Sequence, residues 1–311
     1  MKGAGRPVWE DETSSEDLEA LDPPSPDEPP RTPDVLVVGG GIIGLSVGAA
    51  CTLRGMSVVV IERERCAGGA SGRAAGGLAP DAHPQAGGIW HSFARRSLEL
   101  HHAQSDYAVE TVDLRVVPDA IVPAQARVNP LEMAASLARR AGVVCANTDD
   151  IGDFSPGATV FATGAERTSH IVKGHLIATE PAPFRLGEIV ATSDSEFLAI
   201  QLPSGRIVCG GTKEPDETDA RVVGSTVDRI RTTLVEVVPK AAHLDVTHAW
   251  TCFRPKTSDE LPIIDRADDG SLVVTGFYST GILMAPVAAE LVADALEGVD
   301  LPAAFSAKRF R

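Results

Sequence analysis

The chain has 311 residues and a formal net charge of −15, which allows one or two domains with a substantial core. This acidic balance disfavours nucleic-acid binding, which requires a basic face. Neither a signal peptide nor an apolar run of membrane-spanning length is evident, so we expect a cytoplasmic protein without membrane contacts. The five cysteines include no C-x-x-C pair and the eight histidines lack ligand spacing, which argues against disulfides and a metal site.

The first 33 residues have the composition of a tail. They contain nine acids, three bases and seven prolines, with few large apolar side chains. Such a segment cannot bury enough apolar surface to offset the entropy lost on ordering. We therefore predict that residues 1–33 are disordered and lie outside the fold.

The strongest motif follows at once. An apolar run of strand length, 35–38, ends in Gly39, Gly41 and Gly44 at G-x-G-x-x-G spacing. These glycines permit a tight exit from the strand, close approach of backbone amides to a pyrophosphate, and close packing of the following helix. A second β-branched run ends in Glu62, which can accept both ribose hydroxyls and would repel a 2′-phosphate. The pattern predicts a strand, helix and strand that bind an adenine dinucleotide.

The next segments alternate between both structural classes. Residues 66–80 form a loop rich in glycine and alanine, whose backbone can lie against a flat ligand. We predict helices over 89–104 and 130–141, a short strand over 143–146, and a strand over 159–164 whose last residue, Gly164, meets the cofactor. Four β-patterned segments then predict an antiparallel sheet, with Pro203-Ser-Gly205 as a hairpin turn; they are 174–179, 188–191, 197–202 and 206–211.

Two signals mark the last third of the chain. Arg254 precedes Pro255, which holds it in an extended stretch where its guanidinium is suited to binding a carboxylate. A strand beginning at Leu272 leads through a glycine-bearing turn into an apolar helix closed by Gly298. The positive end of that helix suits the negative charge of a reduced flavin.

Taken together, these motifs resemble the flavin-dependent D-amino-acid oxidase family, and most nearly its glycine-oxidase branch, which feeds thiamine thiazole synthesis. The resemblance is carried by the 39–44 fingerprint with Glu62-Arg63, the loop 69–80, Phe253-Arg254-Pro255 with 261–264, and the block 276–286. It covers about residues 34–300. It implies an α/β fold in which a Rossmann-like FAD-binding domain of the glutathione-reductase type carries an antiparallel substrate domain.

The resemblance also implies a division of the chain. The FAD-binding domain would comprise 34–80, 129–172 and 265–300, a shortened substrate domain 81–128 and 173–264, and a C-terminal tail 301–311. FAD would be non-covalent, because the loop 69–80 has no histidine or cysteine. Besides the glycines Gly39, Gly41 and Gly44, the expected FAD contacts are Ile42, Ile43, Glu62, Arg63, Ala70, Ser71, Ala75, Gly76, Gly77, Gly164, Thr280, Gly281, Ile282 and Leu283.

The implied chemistry is hydride transfer from the α-carbon of a small neutral amine or amino acid to flavin N5. The imine would hydrolyse, and O2 would reoxidise the flavin to give H2O2. Positioning dominates such a step, so we name no catalytic acid or base. Arg254 would bind the substrate carboxylate. The family's tyrosine aligns with Leu198 or Phe197, and its C-terminal arginine aligns with Ser279. We therefore expect Tyr278 and Ser279 as further substrate contacts.

Other functions stay open at this point. The chain could be a dehydrogenase subunit that passes electrons to a partner protein, or a degenerate FAD-binding protein, since the region between Pro80 and Asn129 is much shorter than in the family. An NAD-only dehydrogenase is disfavoured, because the loop 69–80 and the turn 276–286 would then have no role. The sequence leaves the substrate, the electron acceptor and a homo-oligomeric state undetermined.

Overall fold

The computed structural model describes residues 3–22, 30–83, 88–145, 148–167 and 170–310. The α-helices within these ranges are α1 (Trp9–Glu12), α2 (Ser15–Ala20), α3 (Ile42–Leu53), α4 (Ile89–Ala103), α5 (Pro130–Ala138), α6 (Gly224–Val237) and α7 (Gly281–Leu296). The strands are β1 (Val35–Val38), β2 (Val58–Glu62), β3 (Gly77–Leu78), β4 (Glu110–Val117), β5 (Ala120–Arg127), β6 (Val143–Cys145), β7 (Ala158–Phe161), β8 (His170–Thr179), β9 (Glu188–Thr192), β10 (Leu198–Gln201), β11 (Ile207–Gly210), β12 (Glu214–Pro215), β13 (Val246–Lys256), β14 (Ile263–Arg266) and β15 (Leu272–Thr275).

The first sheet has six strands in the order β14-β15-β7-β1-β2-β6. All neighbours are parallel except the edge strand β14, which runs antiparallel to β15. Its central strand β1 is buried along its whole length, as expected for a parallel sheet covered on both faces. The predicted strand, helix and strand are therefore present as β1, α3 and β2.

The second sheet has nine strands and is mainly antiparallel. Its order is β12-β8-β11-β10-β9-β4-β5-β3, and β13 pairs with β8. The predicted hairpin turn joins β10 to β11, with Gly205 at a φ of +92°. Helix α6 covers part of this sheet through Ile230 and Leu234. The sequence analysis did not predict α6 or the hairpin of β4 and β5, because their outer residues are exposed and break the apolar periodicity.

A proline interrupts the backbone hydrogen bonds of α7, and side chains of α4 bond to the carbonyls near this point. Pro286 lacks an N–H, so the Ile282 carbonyl loses its normal partner within the helix. The buried His101 places its Nε2 3.1 Å from that oxygen. One turn earlier on α4, the Ser97 hydroxyl donates to the Leu283 carbonyl (2.6 Å). This packing also attaches α4 to the first sheet's layer, although the sequence division assigned it to the substrate domain.

The prediction of a disordered N-terminal tail is wrong for residues 3–22. Val8, Trp9 and Leu21 are buried in the main core. The Thr251 amide of β13 donates to the Ala4 carbonyl (2.9 Å), and the Cys66 amide donates to the Leu21 carbonyl (2.9 Å). Average composition failed here because three widely spaced apolar side chains suffice to dock the segment. We call residues 3–22 the N-terminal strap.

Residues 301–310, assigned to a C-terminal tail, also pack on the fold. Phe305 is fully buried and lies against Phe93 of α4, with ring centroids 5.0 Å apart. The Ser306 hydroxyl donates to Asp265 (2.7 Å). Arg309 pairs with Asp259 (2.7 Å) in the loop that follows β13. The segment thereby joins α4 to the 259–265 region.

Candidate active site

The glycine fingerprint lies between the end of β1 and the start of α3. Gly39 has a φ of +111°, and a Cβ there would lie 2.6 Å from the Ala162 carbonyl oxygen. A Cβ on Gly44 would collide with the Gly39 carbonyl, so glycine is required for helix α3 to start this close to the turn. Gly40, which the sequence analysis did not single out, is constrained as well, because a Cβ there would lie 2.8 Å from the Cβ of Glu62.

Two predicted cofactor residues fix this turn through hydrogen bonds. The Gly40 amide donates to Glu62 Oε2 (2.8 Å), which holds the carboxylate beside the fingerprint. The Ile42 amide donates to Ser71 Oγ (2.9 Å). The other first-turn amides of α3, including that of Ile43, are left by helix geometry as donors for an anion. Arg63 is exposed at the end of β2.

The loop after β2 runs from the fingerprint to the second sheet. Gly76 has a φ of +85°, and a Cβ there would collide with the Val128 carbonyl. The Val128 amide donates to the Gly76 carbonyl (2.9 Å), and Gly77 pairs with Arg127 of β5. Ala70 and Ala75 are half-buried in this loop. The loop therefore lies along the junction of both sheets.

Gly164 and the start of α7 approach the same region. The Thr275 hydroxyl donates to the Gly164 carbonyl (2.7 Å). Helix α7, with Gly281, Ile282 and Leu283 in its first turn, packs against α3 and β3. Thr280 is buried and its hydroxyl donates to the Phe277 carbonyl (2.8 Å). The fingerprint, the 70–78 loop and the α7 turn thus converge.

This arrangement fits a dinucleotide. A Cβ on Gly41 would meet only Ser71 Oγ, at 3.5 Å, and a Cβ on Gly164 would meet nothing within 4 Å. The backbone is therefore open towards a ligand at these two positions, whereas Gly39 and Gly44 are closed by the protein itself. Glu62 stands at the end of β2 where a ribose acid is required.

Arg254 lies on β13 with an unusual environment. One terminal nitrogen, Nη2, donates to the Thr212 carbonyl and, at 3.4 Å, to the Lys173 carbonyl. Its Nε is buried and has no hydrogen-bond partner in the described part of the chain. A Cβ on Gly174 would collide with the guanidinium, so glycine is needed there. Arg254 is thus held in place with a donor still to be satisfied.

Tyr278 shares this site. Its backbone has a φ of +48°, and its amide donates to the Pro255 carbonyl (2.7 Å). Its ring centroid lies 5.2 Å from Arg254 Cζ. Burial raises the pKa of the phenol, the charges of Arg254 and Lys256 oppose that rise, and those of Glu260 and Glu196 add to it. Ser279, the third predicted substrate contact, is exposed beside it.

The two positions aligned with the family's tyrosine separate in the structure. Phe197 belongs to the core beneath α6. Leu198 instead faces the 70–78 loop, which we call the cofactor loop, since a Cβ on Gly77 would lie 3.5 Å from Leu198 Cδ2. Of the two residues, Leu198 is therefore the better match to the position of the family's tyrosine, and its apolar side chain cannot donate a hydrogen bond.

A buried polar cluster supports the Arg254 site from behind. His175 is fully buried; its Nε2 accepts from the Val223 amide (3.1 Å), so its Nδ1–H donates to Glu214 (2.8 Å). Burial is the main cause that lowers the pKa of His175. Glu214 also accepts from the Thr212 hydroxyl (2.7 Å). The cluster fixes the Thr212 carbonyl that Arg254 contacts.

Sequence reasoning missed two charged residues near Tyr278 and a half-buried histidine that is close to one of them. Lys256 Nζ lies 5.0 Å from the Tyr278 ring centroid and pairs with Glu260 at 2.6 Å. His83 stacks on Trp90 at 4.2 Å, and burial lowers its pKa to about 4 despite the nearby charge of Glu260. Lys256 stands two residues after Arg254 in a β-patterned stretch, and this spacing could have revealed it.

Metal-binding and membrane-spanning features are absent from the described residues. The structure has no group of three or more metal-ligating side chains within the described ranges. Of the helices it describes, none is long and apolar enough to cross a membrane. Cys51, Cys66, Cys209 and Cys252 are buried and form no disulfide among the described residues, and burial raises the pKa of the Cys51 thiol to about 11.

The fold and the site define an α/β protein with a dinucleotide-binding unit and an antiparallel domain that presents an arginine. The family described as FAD dependent oxidoreductase (DAO) matches residues 34–140 and 120–295. The chain therefore belongs to this family of enzymes, whose cofactor is FAD, and the resemblance found in the sequence is confirmed.

Individual relatives agree with this assignment. The hydrogen cyanide synthase subunit HcnC of Pseudomonas protegens is 31% identical over 164 residues, which cover 51% of this chain and 39% of that protein. The bifunctional protein ThiO/ThiG of a Nostoc species is 25% identical over an alignment of 350 positions, gaps included, that covers 85% of this chain and 52% of that protein. The chain thus spans only about half, or less, of the length of these two relatives.

Solved structures confirm the predicted fold class. The crystal structure of glycine oxidase from Geobacillus kaustophilus superposes with a TM-score of 0.80 over 89% of this chain and 98% of that chain. The sequence identity is 22%, so the similarity concerns the fold.

Proposed function

We propose that the protein oxidises a small amino acid or amine with FAD, by the route that converts a CH–NH2 carbon to an imine. The observation that carries the proposal is the buried, unsatisfied Nε of Arg254 on β13, the strand whose Thr251 carbonyl accepts a hydrogen bond from Arg73 of the cofactor loop. A carboxylate is the group that best satisfies such a donor. Relatives named glycine oxidase and ThiO/ThiG support this substrate class.

The chain's own residues would act by binding and positioning. The α3 amides and Glu62 would hold the pyrophosphate and ribose, the 70–77 loop and α7 the flavin, and Arg254 with Tyr278 the substrate carboxylate. When bound, FAD would supply an acceptor for the α-hydrogen and its electron pair. Water would hydrolyse the resulting imine to a carbonyl compound and ammonia or an amine, and O2 would take up the electron pair and two protons as H2O2. No acid or base residue is assigned.

The two proposed domains correspond to the two sheets. The first sheet with α3, α5 and α7 would form the FAD-binding domain, and the second sheet with α6 the substrate domain. In this arrangement β13 carries the substrate arginine, and β3 joins the cofactor loop to the substrate sheet.

Absorbance spectroscopy of the FAD-loaded protein tests the proposal. We expect flavin bands that bleach under anaerobic conditions on addition of glycine, sarcosine, D-alanine or D-proline, and that return with peroxide when O2 is admitted. Arg254→Met should weaken the apparent affinity for the bleaching substrate at least tenfold, as loss of a charge-assisted bond predicts. Arg231→Met, on the exposed side of α6, is the matched control. Bands that persist with every amine would refute the proposed reaction.

A second candidate is a dehydrogenase subunit that passes electrons to a partner protein. The similarity to HcnC, which is named as a subunit, favours it. In that case the bleached flavin would return slowly in O2, without stoichiometric peroxide, and quickly with an artificial electron acceptor.

A further inference from the structure

Two cations, rather than one, converge on Tyr278. Arg254 and Lys256 are two residues apart on β13, so their side chains leave the same face of the strand. Arg254 Cζ lies 5.2 Å and Lys256 Nζ 5.0 Å from the centroid of the Tyr278 ring. The backbone of Tyr278 is attached to this strand, because its amide donates to the carbonyl of Pro255, which lies between the two cations.

The two cations differ in their partners. Arg254 has no carboxylate within ion-pair distance among the residues that the structure describes, and its Nη2 contacts are backbone carbonyls. Lys256 pairs with Glu260 at 2.6 Å, and the side chains of the pair are 27% and 33% exposed. Glu260 is on the turn after β13 and adopts a φ of +63°. Partly exposed ion pairs of this kind contribute little to stability.

We propose that Lys256 determines substrate specificity and that the substrate is an amino acid or amine with two acid groups. Arg254 binds the carboxylate next to the reacting carbon, and Lys256 binds the second acid group. This inference rests on the proposed function, because it names the substrate class of the same site.

The second acid group must displace Glu260 from Lys256. The exchange is feasible, since Glu260 is partly exposed and can turn to water. A substrate whose first acid group is bound by Arg254 already holds its second acid group near Lys256. The negative charges of Glu260 and Glu196 both reach the Tyr278 phenol, so they would also repel a bound diacid and weaken its binding. Removal of the Glu260 charge should therefore tighten binding of a diacid.

Ligand binding to the FAD-loaded protein tests the inference without turnover. Malonate and succinate, with two carboxylates, are compared with acetate and propionate by their perturbation of the flavin absorbance. We expect the diacids to bind at least tenfold more tightly. Lys256→Met should abolish this preference for diacids and leave acetate binding unchanged. Glu260→Gln should increase the preference for diacids. Lys240→Met, on an exposed turn, is the matched control.

Aspartate and asparagine then test specificity during flavin reduction. They have nearly the same shape and differ in the second acid group, so the ratio of their apparent affinities isolates the role of Lys256. Equal affinities, or a preference for aspartate that survives in Lys256→Met, would overturn the inference. Failure of the proposed function has a different signature, because diacids would still bind through Lys256 although no amine reduced the flavin.

Discussion

Trp9 provides the most direct test of the N-terminal strap. Its side chain is 3% exposed, its Nε1–H donates to the Ala74 carbonyl (2.8 Å), and its ring atom Cζ2 lies 3.3 Å from the position of a Cβ on Gly76. The indole therefore supports the cofactor loop by packing and by a hydrogen bond. Truncation of a buried tryptophan to alanine costs about 3–5 kcal/mol, and one hydrogen bond contributes about 0.5–1.5 kcal/mol.

We therefore expect Trp9→Ala to lower the free energy of unfolding by about 3–5 kcal/mol and to weaken FAD binding. Trp9→Phe keeps most of the packing and should cost about 1 kcal/mol, chiefly the lost hydrogen bond. Urea unfolding and titration of the apoprotein with FAD measure the two effects. Leu53→Ala is the control, since Leu53 is 72% exposed and should change stability by less than about 0.5 kcal/mol. If Trp9→Ala matched this control in both assays, the strap would not support the loop.

Three further predictions concern the cofactor turn and α7. Gly44→Ala should abolish retention of FAD during gel filtration, because its Cβ collides with the fingerprint backbone, whereas Gly224→Ala, where a Cβ meets nothing within 4 Å, should retain it. Ser97→Ala leaves the buried Leu283 carbonyl without this donor and should cost about 1–3 kcal/mol in urea unfolding. Burial lowers the pKa of His101 to about 4, so its contribution to stability is complete above pH 6.5 and is lost as the pH falls towards 4, at up to about 1.4 kcal/mol per pH unit. Unfolding of His101→Gln at pH 7 and pH 5 should show a weaker pH dependence than the parent, and an identical dependence would contradict the assignment.

Local sequence patterns were sufficient for the dinucleotide unit. The β1 run is buried on both faces, the glycines have steric reasons for their identity, and Glu62 ends β2 as predicted. Each of these features depends on residues close in the chain. The helix closed by Gly298 was predicted for the same reason, and it ends at Leu296.

Features that depend on distant contacts could not be predicted in this way. The strap docks through Val8, Trp9 and Leu21, whose binding surface is built by segments far along the chain. The role of His101 follows only when α4 is placed against Pro286, more than a hundred residues away. The spacing of Lys256 from Arg254 is local, but the contact of Lys256 with the ring of Tyr278, which lies in the loop before α7, depends on the fold.

The half-buried guanidinium of Arg73 links the cofactor loop to the strand that carries Arg254. Arg73, within the cofactor loop, donates through Nη1 to the carbonyls of Ala4 (3.2 Å), Gly5 (3.0 Å) and Thr251 (3.1 Å). Thr251 stands three residues before Arg254 on the same strand. The strap therefore lies between the loop that would hold the flavin and the strand that would hold the carboxylate, and both are bound to it. Since an error of about 1 Å in such a distance can cost a hundredfold in rate, we infer that the strap would help to set the geometry of the proposed reaction.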